Sequence, residues 1–169
     1  MKYFITSDLH FNHKNIIEYS NRPFNSVEEM NETLINNWNS VVSMDDIVYI
    51  DGDLAFGSKG KIREILNRLN GSKILIKGNH DWFKNLPIEC FIRMEKKFEI
   101  INVEGQDYII IHDPSAASAD HTSNYKYLCG HLHSMPENRV YRNWIDIGVD
   151  GNNFYPYELN EAIKMFNIK

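Results

Sequence analysis

Residues 74–81 read ILIKGNHD, an apolar run that stops at a lysine and a glycine followed by three polar residues. The run Ile74–Ile76 predicts a β-strand, because it is short, rich in β-branched residues and bounded by turn-forming residues. The residues after it carry an amide, an imidazole and a carboxyl group. Gly78-Asn79 alone is also typical of a plain turn, so the surrounding chain has to decide between a turn and a site.

Four other predicted strands end in the same manner, at a carboxyl or an imidazole group. They are Tyr3–Thr6 with Asp8 and His10, Ile47–Ile50 with Asp53, Tyr108–Ile111 with His112, and Tyr127–Cys129 with His131 and His133. Ligands of open α/β sheets bind beyond the carboxyl ends of the strands. The five clusters are therefore expected to converge in space.

Helical segments separate these strands and predict an α/β fold. A capping-box pattern at Ser26–Glu29 begins a helix whose apolar residues keep helical spacing as far as Val41. The other predicted elements are a helical turn at Asn15–Tyr19, a helix at Lys61–Leu69 stopped by Gly71, a hairpin of Ile100–Val103 and Tyr108–Ile111, a loop at Ser115–Asn124, a last strand at Trp144–Gly148 and a closing helix at Glu158–Phe166. Residues 83–99 give no clear pattern.

Length and composition place the chain among globular proteins. Its 169 residues predict one domain over residues 1–169, and hydrophobic residues make up 43% of them. The net charge of -5 argues against non-specific binding to long nucleic acid, which needs many Lys and Arg. Cys90 and Cys129 are isolated in the sequence. Because no signal peptide and no run of membrane-spanning length is found, a cytoplasmic protein without membrane contact is expected.

The strand-end groups have the chemistry of metal ligands. Asp8 and His10 lie two residues apart and therefore point to the same side at a strand end. Asp53 follows a glycine, and its two carboxylate oxygens can bridge two cations. Imidazole, carboxylate and amide ligands without thiolate suit Mn²⁺, Fe or Zn²⁺ better than Mg²⁺ or Ca²⁺. Each group alone also fits a turn or a buried core residue, but the whole set suits two ions that share a carboxylate.

The order of these blocks resembles the calcineurin-like metallophosphoesterases. The matching blocks span roughly residues 1–134 and are Asp8-Leu9-His10, Gly52-Asp53, Gly78-Asn79-His80-Asp81, His112 and Gly130-His131-Leu132-His133. Residues 12–17 and 21–24 further resemble a subgroup of small bacterial and phage phosphoesterases. Asp113-Pro114 is a departure, since many members of the family have a small residue after the histidine.

The resemblance implies a four-layer αββα sandwich with two divalent cations at the carboxyl ends of the strands. One cation would be held by Asp8, His10, Asp53 and His133, and the other by Asp53, Asn79, His112 and His131. The expected metal is Mn²⁺, with Fe, Zn²⁺ or Ni²⁺ as alternatives. A hydroxide bridging the cations would attack the phosphorus, and His80 would protonate the leaving oxygen.

The expected substrate is a small phosphate ester or a nucleotide, with a phosphodiester favoured over a phosphomonoester. Arg22 is a candidate clamp for the substrate phosphate or an anchor for its own loop, and His13 is a candidate lining residue. Asp81 either orients His80 or lies exposed in a turn. Asp51 either supports a ligand residue or simply ends its strand, and Asp113 either supports a ligand residue or is a turn residue before Pro114. The alternative function is a non-catalytic binding scaffold, which would not need the ligands or His80.

Overall fold

Nine strands are present in the computed structural model, which describes residues 1–120, 122, 124–135 and 140–167. The strands of the first sheet are β1 (Tyr3–Thr6), β2 (Ile47–Asp51), β3 (Ser72–Ile76), β4 (Arg93–Glu95) and β9 (Tyr157–Glu158). Their order is β4-β3-β2-β1-β9, with β1 to β4 parallel and β9 antiparallel to β1. The ends of β1, β2 and β3 therefore lie at one edge.

The second sheet contains β5 (Glu99–Val103), β6 (Gln106–Ile110), β7 (Lys126–Cys129) and β8 (Trp144–Asp146), in that order. β5 and β6 form the predicted hairpin, and β6, β7 and β8 are parallel. The two hairpin residues, Glu104 and Gly105, have φ values of 51° and 85°, as a type I′ turn requires. A backbone bridge between Ser7 and Gly148 joins the carboxyl edges of the two sheets.

The helices are α1 (Ile16–Tyr19), α2 (Val27–Val41), α3 (Lys59–Leu66), α4 (Ser115–Ala119) and α5 (Leu159–Lys164). The predicted cap of α2 is confirmed, because the Ser26 hydroxyl accepts the N–H of Glu29 at 3.1 Å. The Glu29 carboxylate, however, accepts the N–H of Asn25 at 2.8 Å. The reciprocal half of the capping box is therefore displaced by one residue.

The helices and sheets pack as four layers. Trp38 and Met30 of α2 and Ile62 of α3 lie against one face of the first sheet, at Val48 and Leu75. The two sheets face each other across a second hydrophobic cluster, to which each of six strands contributes one of Ile5, Tyr49, Ile76, Ile110, Leu128 and Ile145. Ala117 of α4 covers the outer face of the second sheet. The expected αββα sandwich is confirmed.

Several element boundaries differ from the sequence-based predictions. Helix α3 begins at Lys59 and ends at Leu66, because Ser58 caps it through the N–H of Lys61 and Asn67 ends it. The stretch without a clear pattern holds two short 3₁₀ helices and β4. The expected loop at 115–124 contains α4, while His121 and Ser123 lie outside the described residues. Strand β9, only two residues long, was not predicted.

None of the helices in the described part of the chain has both the length and the apolar character that a membrane crossing requires.

Candidate metal centre

The structure brings the predicted ligand residues together at the carboxyl edge of the two sheets. They form two groups, and within each group the candidate ligand atoms lie within 4.8 Å of one another. The first group is Asp8, His10 and His133, and the second is Asp53, His112 and His131. Each group combines residues from loops that are far apart in the sequence.

Asp53 belongs to the second group and also faces the first. Its Oδ2 is 3.6 Å from Nε2 of His10 and 3.4 Å from Nε2 of His112. The first of these histidines belongs to one group and the second to the other. One carboxylate oxygen thus faces both, which is the arrangement that a bridging ligand needs.

The carboxylates each use one oxygen for the backbone and keep the other for the site. Asp8 Oδ2 accepts the N–H of His131 at 2.9 Å, and Asp53 Oδ1 accepts the N–H of His80 at 2.9 Å. Asp8 Oδ1 and His10 Nε2 are buried and have no hydrogen-bond partner among the described residues. A buried polar atom without a partner costs free energy of folding. These two unpaired atoms are therefore suited to coordinate a cation.

The imidazoles are oriented by hydrogen bonds on the side away from the site. His112 Nδ1 lies 2.7 Å from the backbone oxygen of Asp51, which can only accept, so Nδ1 carries the proton. His133 Nδ1 donates in the same way to Asp150 Oδ2 at 2.9 Å. Both Nε2 atoms therefore present lone pairs to the site when the rings are neutral. Asn79 Oδ1 is 3.0 Å from His112 Nε2 and 3.1 Å from His131 Nδ1, which places it with the second group.

The backbone at the site is strained. Five of the predicted ligands adopt left-handed φ values: Asp8 at 57°, His10 at 51°, Asp53 at 51°, His131 at 78° and His133 at 52°. A non-glycine residue in this region costs roughly 1–2 kcal/mol. Such strain concentrates at functional sites, where the surrounding structure holds it in place.

Close backbone approach at Gly52 and Gly78 brings Asp53 into position. A Cβ on Gly52 would lie 2.5 Å from Gly78 Cα, and one on Gly78 would overlap Asp53 Oδ1. Asp81 stabilises the same contact, because its buried carboxylate accepts the N–H groups of Asp53, Leu54 and Gly78 at 2.9–3.0 Å. Asp81 therefore neither orients His80 nor lies exposed, and both sequence-based alternatives for it are wrong.

The electrostatics of the site reflect close pairing of unlike groups. Burial raises the pKa of Asp53, but the hydrogen bond and charge of His112, together with the N–H of His80 and the charge of His10, lower this pKa to about 2. Burial lowers the pKa of His112, but contact with Asp53 and the charges of Asp8 and Asp51 raise it to about 10. Burial lowers the pKa of His10 to about 2, which keeps that imidazole neutral as a ligand must be.

His80 lies at the mouth of the site rather than within a ligand group. Its side chain is 45% exposed, and its Nε2 is 3.9 Å from Asp53 Oδ2. It lines a cavity of about 730 Å³ that is shared with the two ligand groups and with Tyr19 and Phe56. A substrate phosphate above the ligand groups would lie within reach of this imidazole.

His13 lines the same cavity, as the sequence predicts. Its ring stacks on Phe56 with centroids 4.1 Å apart, and its Nδ1 is 3.2 Å from Nδ1 of His10. These contacts fix the ring of His13 beside the first ligand group.

Arg22 is buried and is not placed to clamp a substrate phosphate, so that prediction is wrong. Its side chain has no exposed surface, and it forms a two-bond ion pair with Asp150, with both distances 2.8 Å. Its remaining donors go to the backbone oxygens of Asp8 and Leu9 and to Met30 Sδ. Arg22 thus has no donor left for a phosphate and instead anchors the first ligand loop from below.

Two carboxylates were missed by sequence reasoning. Asp150 links Arg22 to His133, and Asp146 accepts the N–H groups of Ser134 and Gly148 at 2.9 and 2.8 Å. The signal was a pair of aspartates four residues apart, with Asp146 at the end of β8 and Asp150 shortly after it, on a strand that ends at the same edge as the others. Asp51 and Asp113 have simpler roles, since the first offers its backbone oxygen to His112 and the second accepts the N–H of Ser115 ahead of α4.

Comparisons with known proteins show which proteins the chain resembles in sequence and fold. A family model described as calcineurin-like phosphoesterase matches residues 1–162. An uncharacterized protein of Methanocaldococcus jannaschii is 39% identical over 173 residues, covering 97% of this chain and 90% of the relative. A solved protein of unknown function from Aquifex aeolicus has a TM-score of 0.75 at 25% identity, covering 97% of this chain and 98% of the other. An archaeal phosphodiesterase shares the fold, with a TM-score of 0.50 at 20% identity, covering 88% of this chain and 82% of the other.

Proposed function

Since the chain belongs to the calcineurin-like phosphoesterase family and is thus a metal-dependent phosphoesterase, we propose that it hydrolyses phosphodiesters at a dinuclear metal centre. The observation that carries this proposal is the position of Asp53 Oδ2, 3.6 Å from His10 Nε2 and 3.4 Å from His112 Nε2. A carboxylate in that position bridges two ligand groups.

The proposed ligand sets follow from the two groups of donor atoms. Asp8, His10, Asp53 and His133 hold one cation, and Asp53, Asn79, His112 and His131 hold the other. When bound, the two cations supply Lewis-acid activation of water and neutralise charge on the phosphate oxygens. The donor set of imidazole, carboxylate and amide groups favours Mn²⁺, with Fe, Zn²⁺ and Ni²⁺ as alternatives.

His80 is the proposed general acid. Its backbone N–H is held by Asp53 Oδ1 at 2.9 Å, while its imidazole reaches into the cavity. A proton delivered from this imidazole to the leaving oxygen avoids the release of an alkoxide. Such catalysis typically contributes about 10²–10⁴-fold to the rate.

The shape of the site favours a diester over a monoester. The large cavity extends from His80 past Tyr19 and Met135, and a second cleft opens on the other side beside His112 and His131. A diester places a group on each side of the phosphorus and can use both openings, whereas a monoester uses one. His13 and Phe56 are proposed to contact the group in the large cavity.

The test compares bis(p-nitrophenyl) phosphate with p-nitrophenyl phosphate on metal-free protein, with Mn²⁺ or with chelator, for the wild type and His80→Ala. We expect Mn²⁺-dependent turnover with the diester preferred, and a loss of about 10²–10⁴-fold in kcat for the variant. Calorimetric titration should show that His80→Ala still binds Mn²⁺ as the wild type does. Metal binding without turnover of either ester across Mn²⁺, Ni²⁺, Zn²⁺ and Fe²⁺ would contradict the proposed activity and favour a binding scaffold.

A further inference from the structure

A surface of lysines and aromatic rings borders the metal centre on the side of the second ligand group. We call it the basic–aromatic platform and define it by Lys77, Trp82, Phe83, Lys84, Lys96 and Lys97. Two clefts of about 360 and 390 Å³ run along it. The first is lined by His112, His131 and Lys97, the second by Trp82 and Lys84, and both include Lys77 and Asn79. The platform is therefore continuous with the metal centre.

The lysines of the platform carry uncompensated charge. Within the described part of the chain, none of the four has a carboxylate within 4.0 Å, whereas Lys2 and Lys164 form ion pairs at 2.7 Å. Two carboxylates also line the clefts, Asp113 in the first and Asp81 in the second, so four lysines face two carboxylates on this surface. Glu95 pairs with Arg93 at 3.6 Å. This face is thus locally positive although the whole chain has a net charge of -5.

The aromatic rings of the platform face solvent. Trp82 is 63% exposed and Phe83 is 43% exposed, while the other two tryptophans, Trp38 and Trp144, are 0% and 5% exposed. The Nζ atoms of Lys77 and Lys96 each lie 6.0 Å from the centroid of the Phe83 ring. Exposed rings interleaved with cations match the two parts of a single-strand binding groove, in which lysines follow the phosphates and rings stack on the bases.

We propose that the platform binds single-stranded nucleic acid and directs one of its phosphodiesters to the metal centre. This inference rests on the proposed function, since it identifies the diester as an internucleotide linkage. Lys97 and Lys77, which line the same cleft as His112 and His131, would contact phosphates that follow the scissile one on that side, and Trp82 would stack on a base. The net charge of -5 argues against non-specific binding to long nucleic acid, whereas four lysines on one face can contact the phosphates of a short strand.

The first experiment measures binding of fluorescein-labelled dT12 and rU12 to the Mn²⁺-loaded His80→Ala protein by fluorescence anisotropy. We expect saturable binding, with log Kd changing against log salt by a slope of about 3, because four lysines each release about 0.7 counterion from a single strand. Unlabelled strands should quench emission from Trp82, the exposed tryptophan. A third strand, dU12, differs from rU12 only in the sugar, and the comparison of these two identifies which of the two sugars the site accepts.

Variants made in the same background separate the platform from the metal centre. Trp82→Ala is expected to weaken binding about tenfold, as loss of one stacked base implies, and Lys84→Ala with Lys97→Ala is expected to reduce the salt slope by about 1.4. The matched control, Lys2→Ala with Lys164→Ala, removes two lysines outside the platform and should change neither the binding affinity nor the salt slope. In the protein with His80 intact, the control Lys2→Ala with Lys164→Ala should leave turnover of bis(p-nitrophenyl) phosphate unchanged.

Failure of this inference is distinguishable from failure of the proposed function. Turnover of bis(p-nitrophenyl) phosphate without binding of dT12 or rU12 at 0.1 M salt would overturn the proposed role of the platform and leave the proposed activity intact. Binding that depends on the platform, without turnover of any diester, would overturn the proposed activity and leave the platform as a binding surface. Tighter binding of a dT12·dA12 duplex than of either single strand would also overturn the inference, because paired bases are not free to stack on Trp82.

Discussion

Replacement of Asp150 by asparagine tests how the first ligand group is held. The carboxylate of Asp150 accepts three hydrogen bonds, from His133 Nδ1 at 2.9 Å and from Arg22 Nε and Nη2 at 2.8 Å each. Asparagine has the same shape, but it has one acceptor oxygen and turns an NH₂ group toward donors. Asp150→Asn therefore removes the negative charge that pairs with Arg22, and it turns the NH₂ group toward at least one of the three donors, which weakens the hold on the ring of His133.

Both consequences can be given a magnitude. Breaking a buried ion pair from one side costs about 3–5 kcal/mol. A chain of this size loses about 2–4 °C of Tm per kcal/mol, so the expected decrease in Tm is about 6–20 °C. Loss of a carboxylate that orients a ligand histidine typically weakens metal binding about 10–100-fold. The loss should affect one of two Mn²⁺ binding steps, since the hydrogen bonds of His112 and Asn79 remain intact.

The assay is calorimetric titration of metal-free protein with Mn²⁺ at a temperature where circular dichroism shows both proteins folded. The matched control is Asp46→Asn, which alters a buried carboxylate that accepts the N–H groups of Lys2 and Ser43 at 2.7 and 2.8 Å. Asp46 precedes β2 and so lies at the opposite edge of the sheet. The control should lower Tm without changing either Mn²⁺ affinity. Two wild-type affinities in Asp150→Asn would refute the positioning role of Asp150.

Three further outcomes are expected. Gly78→Ala should abolish bridging by Asp53 and leave at most one Mn²⁺ bound, because the new Cβ overlaps Asp53 Oδ1; two bound Mn²⁺ in this variant would show that the loop adapts. Because the fold raises the pKa of His112 from 6.5 to about 10, protonation of His112 stabilises the metal-free protein fully below pH 6.5, and this stabilisation is lost as the pH rises to 10. The Tm of the metal-free wild type should therefore fall between pH 6.5 and 10, and the Tm of the His112→Gln variant should fall less over the same range. Equal decreases in Tm for the two proteins would contradict the pairing of His112 with Asp53. Mn²⁺ at 100 times the Kd of one site should add about 2.7 kcal/mol of stability, and an unchanged Tm in thermal melts would mean that the folded state does not bind it.

The predictable part of the molecule is the part encoded by contiguous residues. Each apolar strand and the polar residues after it occur together in the sequence, so β1, β2, β3 and β7 and their ligands could be placed from local patterns. Convergence then followed from the rule that the ends of parallel strands share one edge. The N-terminal cap of α2 and the hairpin of β5 and β6 were likewise encoded by a few adjacent residues.

The part that sequence reasoning missed depends on contacts between distant residues. Arg22 is buried because Asp150, 128 positions away, compensates its charge, and neither residue alone reveals the pair. Asp81 accepts the N–H groups of Asp53 and Gly78 only because the ends of β2 and β3 lie next to each other. The two-residue strand β9 has no periodicity of its own and forms by pairing with Phe4 and Ile5 of β1.

The central claim, that Asp53 bridges two cations, is tested most directly by anomalous diffraction from a crystal of the Mn²⁺-loaded protein. Two anomalous peaks about 3.5–4 Å apart are expected, on either side of Asp53 Oδ2. One peak should lie beside Asp8, His10 and His133, and the other beside Asn79, His112 and His131. A single peak at full Mn²⁺ saturation, or two peaks of which only one contacts Asp53, would contradict the account.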